Sequence, residues 1–202
     1  DNTLVLFLGD NGTGRGTPTM FQGHEVLGGK GTTTMWGTHV PGIANWPGHV
    51  VSGKVCDDLI GASDFLPTIC EAANVTAPTD IDGHSFFPQL KGEVGKPRSW
   101  LYSWYNPSGG QKPQAEFAHD SGFKLYSDGR FYNVIKDDHE KSPLADDSLD
   151  AIAKAAKTKL QAALDQFKGT RPEAIAKQGQ AFGGEGSDKP GKGKKGKGKK
   201  GK

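Results

Sequence analysis

Residues 3–12 read Thr3-Leu4-Val5-Leu6-Phe7-Leu8-Gly9-Asp10-Asn11-Gly12: an uncharged, largely apolar run of six that stops on an acid, an amide and two glycines. Such a run between turn formers predicts a strand buried on both faces, as inside a parallel α/β sheet. Residues that follow it lie at the carboxyl end of the strand, where open α/β sheets hold their ligands. Asp10 and Asn11 therefore carry two readings. Their side-chain oxygens are hard ligands of the kind Ca2+ or Mg2+ takes. Asp, Asn and Gly are also what an ordinary turn uses.

Downstream, residues 12–38 hold eight Gly and seven Thr, which reads as one long loop with a job of its own. Lys30 sits inside it, in Gly28-Gly29-Lys30-Gly31-Thr32-Thr33-Thr34. Glycines on both sides let backbone N–H groups and one ammonium approach an anion closely. The spacing is not that of a phosphate loop, because His24 stands where the first glycine of that pattern belongs. A solvated lysine on a surface loop is the other reading.

Val40 to Trp46 reads as a second buried segment. Ser63 to Ala73 reads as a helix capped by Ser63 or Asp64, with Leu66, Ile69, Cys70 and Ala73 on one face and Pro67 in the first turn. From Trp100 the pattern changes. Trp100–Tyr105, Glu116–His119, Phe123–Tyr126 and Arg130–Ile135 are short aromatic and branched runs separated by turn formers, among them Asp128-Gly129. This predicts a small antiparallel sheet that needs cover on one face. Leu149, Ile152, Ala156, Leu160, Ala163 and Phe167 recur at helical steps and supply that cover, with Gly169 and Pro172 ending the helix.

The chain has 202 residues and a net charge of +2, but the charge is unevenly placed. Residues 183–202 hold eight Lys against Glu185 and Asp188, while the remainder has 17 basic and 21 acidic side chains. An acidic body excludes a general nucleic-acid surface. The Gly/Lys end reads as disordered, either a solvated terminus or an attractor of polyanions. No apolar stretch reaches 18 residues, so no membrane span is expected. Cys56 and Cys70 fit no zinc pattern and are either thiols or one disulfide. The chain opens on Asp1 without an initiator Met, which reads as a piece of a longer protein.

Taken in order, the strand, Asp10-Asn11-Gly12, and then GGKGTTTMWGTHVPGIANWPG (residues 28–48) resemble the C-terminal half of the catalytic domain of type I sulfatases, which have the alkaline-phosphatase-like fold. SDFLPTICEAA, Asp82-Gly83-His84-Ser85-Phe86 and GFKLYSDGRFYNV extend the resemblance to about residue 145. It implies an α/β fold: residues 1–95 as the C-terminal portion of the α/β domain, 96–169 as a small antiparallel sheet packed by a C-terminal helix, and 170–202 as a tail. It implies hydrolysis of sulfate esters on a small molecule or polysaccharide. Asp10 and Asn11 match the pair that binds Ca2+, with Mg2+ as an alternative. Lys30 matches the sulfate-binding lysine of the catalytic site. His39 stands where the family has Arg or His before Val-Pro, which implies a place in the substrate pocket; a purely structural histidine is the alternative.

The family's nucleophile is a formylglycine made in a Cys/Ser-x-Pro/Ala-x-Arg motif. Cys56 is followed by Asp-Asp-Leu-Ile and Cys70 by Glu-Ala-Ala-Asn, so the motif is not in these residues and is expected in an N-terminal region. The chain by itself is therefore expected to show no turnover. The resemblance also implies a periplasmic or extracellular setting. Two other readings stand beside it, a related phosphoesterase and a non-catalytic polyanion-binding module. Lys30 in its Gly-Lys-Gly-Thr-Thr setting argues against the first.

Overall fold

The structure is a computed structural model that describes residues 2–106 and 114–171. Strand β1 (Val5–Leu8) forms where the apolar run lies, but its partner is antiparallel. It pairs with β4 (Gly42–Asn45), in register from Val5↔Asn45 to Leu8↔Gly42. The expected burial on both faces is not found, because Val5 is 52% exposed, Phe7 56% and Ile43 61%. A strand is buried twice over only when layers lie on both sides of it. The described residues place none on this two-stranded ladder.

The stretch expected as one long loop contains structure of its own. Strands β2 (Pro18–Phe21) and β3 (His24–Leu27) form a hairpin across Gln22-Gly23, whose φ angles are +48° and +84°. Two positive φ values in a two-residue connection give the turn whose twist suits paired strands. A short helix α1 (Met35–Thr38) follows.

The helix over 63–73 is present as a 3-10 turn at Ala62–Asp64 running into α2 (Phe65–Ala72). Its orientation differs from expectation. Leu66 and Ile69 face solvent, and the buried positions are Asp64, Pro67 and Thr68. The Thr68 hydroxyl donates to the Asp64 carbonyl at 2.6 Å and accepts from the Phe86 N–H at 3.0 Å, which turns that face toward the start of α3 (Phe87–Leu90). Apolar spacing marks a stripe but not what lies opposite it. Nor does Asp64 cap α2 with its side chain. Its carboxylate accepts from the N–H groups of Gly61 and His84 at 2.7 Å each and from Arg98 Nε at 2.8 Å. That buried ion pair ties residues 59–64 to the start of the next unit, where Leu59 also bridges to Arg98.

The four-stranded sheet has the expected strands: β5 (Leu101–Tyr105), β6 (Ala115–His119), β7 (Phe123–Tyr126) and β8 (Phe131–Asn133), antiparallel neighbours in chain order. Gly129, at φ +92°, makes the last hairpin turn. Helix α4 (Ala151–Gln166) starts at Asp150, whose side chain accepts from the Ala153 N–H at 2.8 Å. Ala153, Ala156, Leu160, Ala163 and Leu164 lie against the sheet, where Leu125 and Phe131 are fully buried. Ile152, expected on this stripe, is 73% exposed, and Ala153 takes its place. The small alanines let the helix axis come close, and a branched residue at 153 would hold it off. Phe167 stacks on Tyr102 at 4.1 Å, and Gly169 follows the helix at φ +76°. The sheet aromatics are thus packing residues. Cys56 and Cys70 are both free thiols. The Gly/Lys tail expected from residue 183 lies outside the described residues.

Candidate active site

Asp10 and Asn11 leave β1 directly, and both side chains are exposed. What fixes their surroundings is backbone, in three strands of chain that pass through one point. Gly9 N–H donates to the Pro41 carbonyl at 3.0 Å, extending the β1–β4 ladder toward His39. Gly12 N–H donates to the Gly37 carbonyl at 3.4 Å, and Lys30 N–H donates to the Thr13 carbonyl at 2.9 Å. The exit of β1 therefore lies between the Lys30 segment on one side and α1 on the other.

Two glycines make this crossing possible. A Cβ on Gly12 would fall on the Trp36 carbonyl oxygen, and one on Gly28 would fall on the carbonyl oxygens of Thr13 and Gly14. Neither site has room for a side chain, so at these two positions glycine is required by close backbone approach. Trp36 covers the crossing from α1, edge-on to Phe21 of the hairpin at 5.4 Å and 5.9 Å from the His139 ring.

The structure thus brings Asp10-Asn11 and Lys30 to one crossing of the chain. His39 is also nearby, as the exposed residue that closes α1, with its N–H on the Met35 carbonyl at 2.8 Å. The Lys30 side chain is exposed, and its main chain is held from several directions. Arg15 Nε donates to the Lys30 carbonyl at 3.0 Å, and the far nitrogen of its guanidinium donates to the Gly31 carbonyl at 2.9 Å. The Tyr105 hydroxyl donates to that same Gly31 carbonyl at 3.1 Å. Thr32 Oγ1 donates to the Gly29 carbonyl at 2.7 Å, closing the segment on itself.

Residues of the four-stranded sheet complete the hold. The Thr33 and Tyr126 hydroxyls hydrogen bond at 2.7 Å, and Lys124 Nζ donates to the Thr33 carbonyl. Lys124 is paired with Glu140 at 2.9 Å, and Tyr126 donates its hydroxyl proton to the second oxygen of Glu140. Burial lowers the Lys124 ammonium from the usual lysine range, and Glu140 counters part of that. Burial, with Glu140 accepting its proton, pushes the Tyr126 phenol well above its ordinary value.

The sequence pattern did not single out Arg15, Tyr105, Lys124, Tyr126 or Glu140 for this site. One signal was available. Lys124 alternates with Phe123 and Leu125, which face the covering helix, so the bare pattern puts it on the opposite face; a Lys between aromatic neighbours on that face, with Phe117 and Tyr126, is the one trace of a packed partner. Which partner, and on which element, is not written in the local pattern.

The donor set at Asp10 and Asn11 suits a hard divalent cation, but two residues are a partial shell, since Ca2+ takes 6–8 oxygens. Among the described residues no group of three or more His, Cys, Asp or Glu side chains is placed to hold a metal. The formylglycine pattern does not fit the described residues either, as neither free cysteine stands in it.

Comparison with known proteins identifies this arrangement, a small antiparallel sheet with its covering helix behind an α/β unit, as the C-terminal part of a type I sulfatase. A family model described as "N-sulphoglucosamine sulphohydrolase, C-terminal" matches residues 35–166, and the chain belongs to that family. The uncharacterized sulfatase YdeN of Escherichia coli (strain K12) is 38% identical over 110 residues, 52% of this chain and 19% of that protein. Arylsulfatase A of Homo sapiens is 35% identical over 126 residues, 60% of this chain and 24% of the relative. The solved structure of a 2-O GAG sulfatase superposes with a TM-score of 0.62 at 25% identity, covering 82% of this chain and 36% of that one. The chain therefore spans about a fifth to a quarter of the curated relatives' length. No described helix is long and apolar enough to cross a membrane.

Proposed function

We propose that this chain supplies the metal- and sulfate-binding part of a sulfuric ester hydrolase. The observation that carries the reading is the crossing itself. Backbone hydrogen bonds from Gly12 and Lys30 hold the exit of β1, with its carboxylate and carboxamide, beside a lysine whose loop is tied down at three carbonyls. Asp10 and Asn11 are the residues that would hold Ca2+, or Mg2+, and the ion would stabilise negative charge on the sulfate group.

Lys30 contributes to the same task. In S–O cleavage, charge develops on the leaving oxygen and the transferring group. A preorganised ammonium stabilises that charge without having to reorganise during the reaction. His39 lines the approach to the pocket. In this reading the formylglycine nucleophile comes from residues outside this chain, as do the other metal ligands. The exposed apolar side chains of β1 and β4 fit the same picture, with further strands and helices of the parent α/β domain lying over them. The substrate is a sulfated small molecule or polysaccharide, met in a periplasmic or extracellular setting.

The test is steady-state hydrolysis of an aryl sulfate by the full-length protein. Lys30→Ala is expected to lower kcat/KM by about a hundredfold or more. Asp10→Asn is expected to raise the Ca2+ concentration needed for half-maximal activity. Wild-type kinetics in both variants would discard the assignment.

A further inference from the structure

Lys124 is 4% exposed and Glu140 5%, so this ion pair lies out of water. The ammonium sits 3.9 Å from the centre of the Phe117 ring and 4.9 Å from that of Tyr126, against aromatic faces that suit a cation. Taking both charges out of water is costly, and a pair serving only to hold a sheet together is replaceable by apolar side chains of similar size. This pair does something apolar residues would not. A further hydrogen bond leaves the sheet and ends on the Thr33 carbonyl, 91 residues away in the chain and three residues beyond Lys30. Glu140 meanwhile orients Tyr126, whose hydroxyl meets the side chain of the same Thr33.

We infer that Lys124 and Glu140 form a positioning pair: they fix residue 33 from behind and so set where the Lys30 ammonium points. The inference rests on the reading of Lys30 as the sulfate-binding residue. Arg15 and Tyr105 hold the front of the segment, at residues 30 and 31. Without Lys124 the segment keeps these and the Thr33–Tyr126 hydroxyl bond, but loses the tether on the Thr33 carbonyl and the partner that holds Glu140. Lys30 then samples several directions, and a misplacement of about 1 Å is enough to weaken binding of a charged group markedly.

The test is inorganic sulfate as a competitive inhibitor of aryl sulfate hydrolysis by the full-length protein, with a melting temperature recorded for each variant. Lys124→Met is expected to raise the sulfate inhibition constant about tenfold, with Lys124→Arg recovering part of the loss. Tyr126→Phe keeps the ring in the core and removes only the hydroxyl, and is expected to raise the constant about threefold. A lowered melting temperature with an unchanged inhibition constant in Lys124→Met would mean a structural pair only and overturn the inference. If Lys124→Met does not fold, Tyr126→Phe decides, and an unchanged constant there overturns it. Lys30→Ala separates the two levels. If it leaves sulfate inhibition unchanged, the site reading fails first. If it weakens inhibition while the Lys124 and Tyr126 variants do not, only the positioning role is lost.

Discussion

The four-stranded sheet and the β1–β4 ladder use the same kinds of residue to opposite effect. Phe131 and Leu125 in the sheet are fully buried under α4, whereas Phe7 and Ile43 in the ladder stand in solvent. The difference lies in cover. The sheet brings its own helix within the next 40 residues of chain, so its aromatic face is satisfied locally. The ladder has no such layer among the described residues, and its order comes from backbone crossings at Gly12 and Gly28 and from the anchors on Thr33. One region is a core that carries a tether; the other is a site that depends on it.

That contrast can be tested by substitution. The largest effect is expected from Phe131→Ala, which removes a fully buried ring beneath α4 and should cost about 3–5 kcal/mol in urea unfolding. Next is the buried ion pair that ties the entry of α2 to the start of the sheet unit. Asp64→Ala leaves Arg98 buried without its partner and should cost about 3 kcal/mol at neutral pH. Burial by itself raises the Asp64 carboxyl, but the Arg98 hydrogen bonds and the N–H groups of Gly61 and His84 outweigh it and hold the group below its usual value. A depressed acid stabilises the folded state wherever it is ionised. The Asp64 contribution is therefore complete above a pH of about 4 and disappears as pH falls below that. The acid limb of the wild-type stability profile should be steeper than that of Asp64→Asn.

Removing the helix cap with Asp150→Ala should cost about 1 kcal/mol, since one hydrogen bond to the first turn of α4 is lost. The smallest effect is expected from Phe7→Ser, within about 0.5 kcal/mol in this chain, because its ring is already in water. A large loss there would show that the ladder is covered and would collapse the contrast between the two regions.

Much of the sheet was legible locally. Alternating aromatic runs broken by Ser121-Gly122 and Asp128-Gly129, then a 3.6-residue stripe from Leu149, describe strands and a cover with short-range information alone. The stripe failed only at Ile152, where the close approach of helix and sheet selects alanine at the next position. In the N-terminal part the existence of β1 and the helix at 63–73 were legible, but their surroundings were not. Apolar spacing does not say whether a partner runs parallel or antiparallel, or which face of α2 meets the chain around Phe86. The Gln22-Gly23 hairpin went unread because Pro18–Phe21 and His24–Leu27 carry too few apolar residues to look like strands.

By itself, the sequence determined which residue types stand at the candidate site. Asp10, Asn11, Lys30 and His39 are set by their order behind an apolar run, and the family pattern follows from that order. Only the tertiary structure decided that the Lys30 segment is gripped from the far sheet. Lys124 and Tyr126 reach it across 91 and 93 residues of chain, and Glu140 holds both. The burial of Lys124 and the identity of its partners both depend on which distant elements the fold brings into hydrogen-bonding range, because strand alternation alone puts it on the face away from α4.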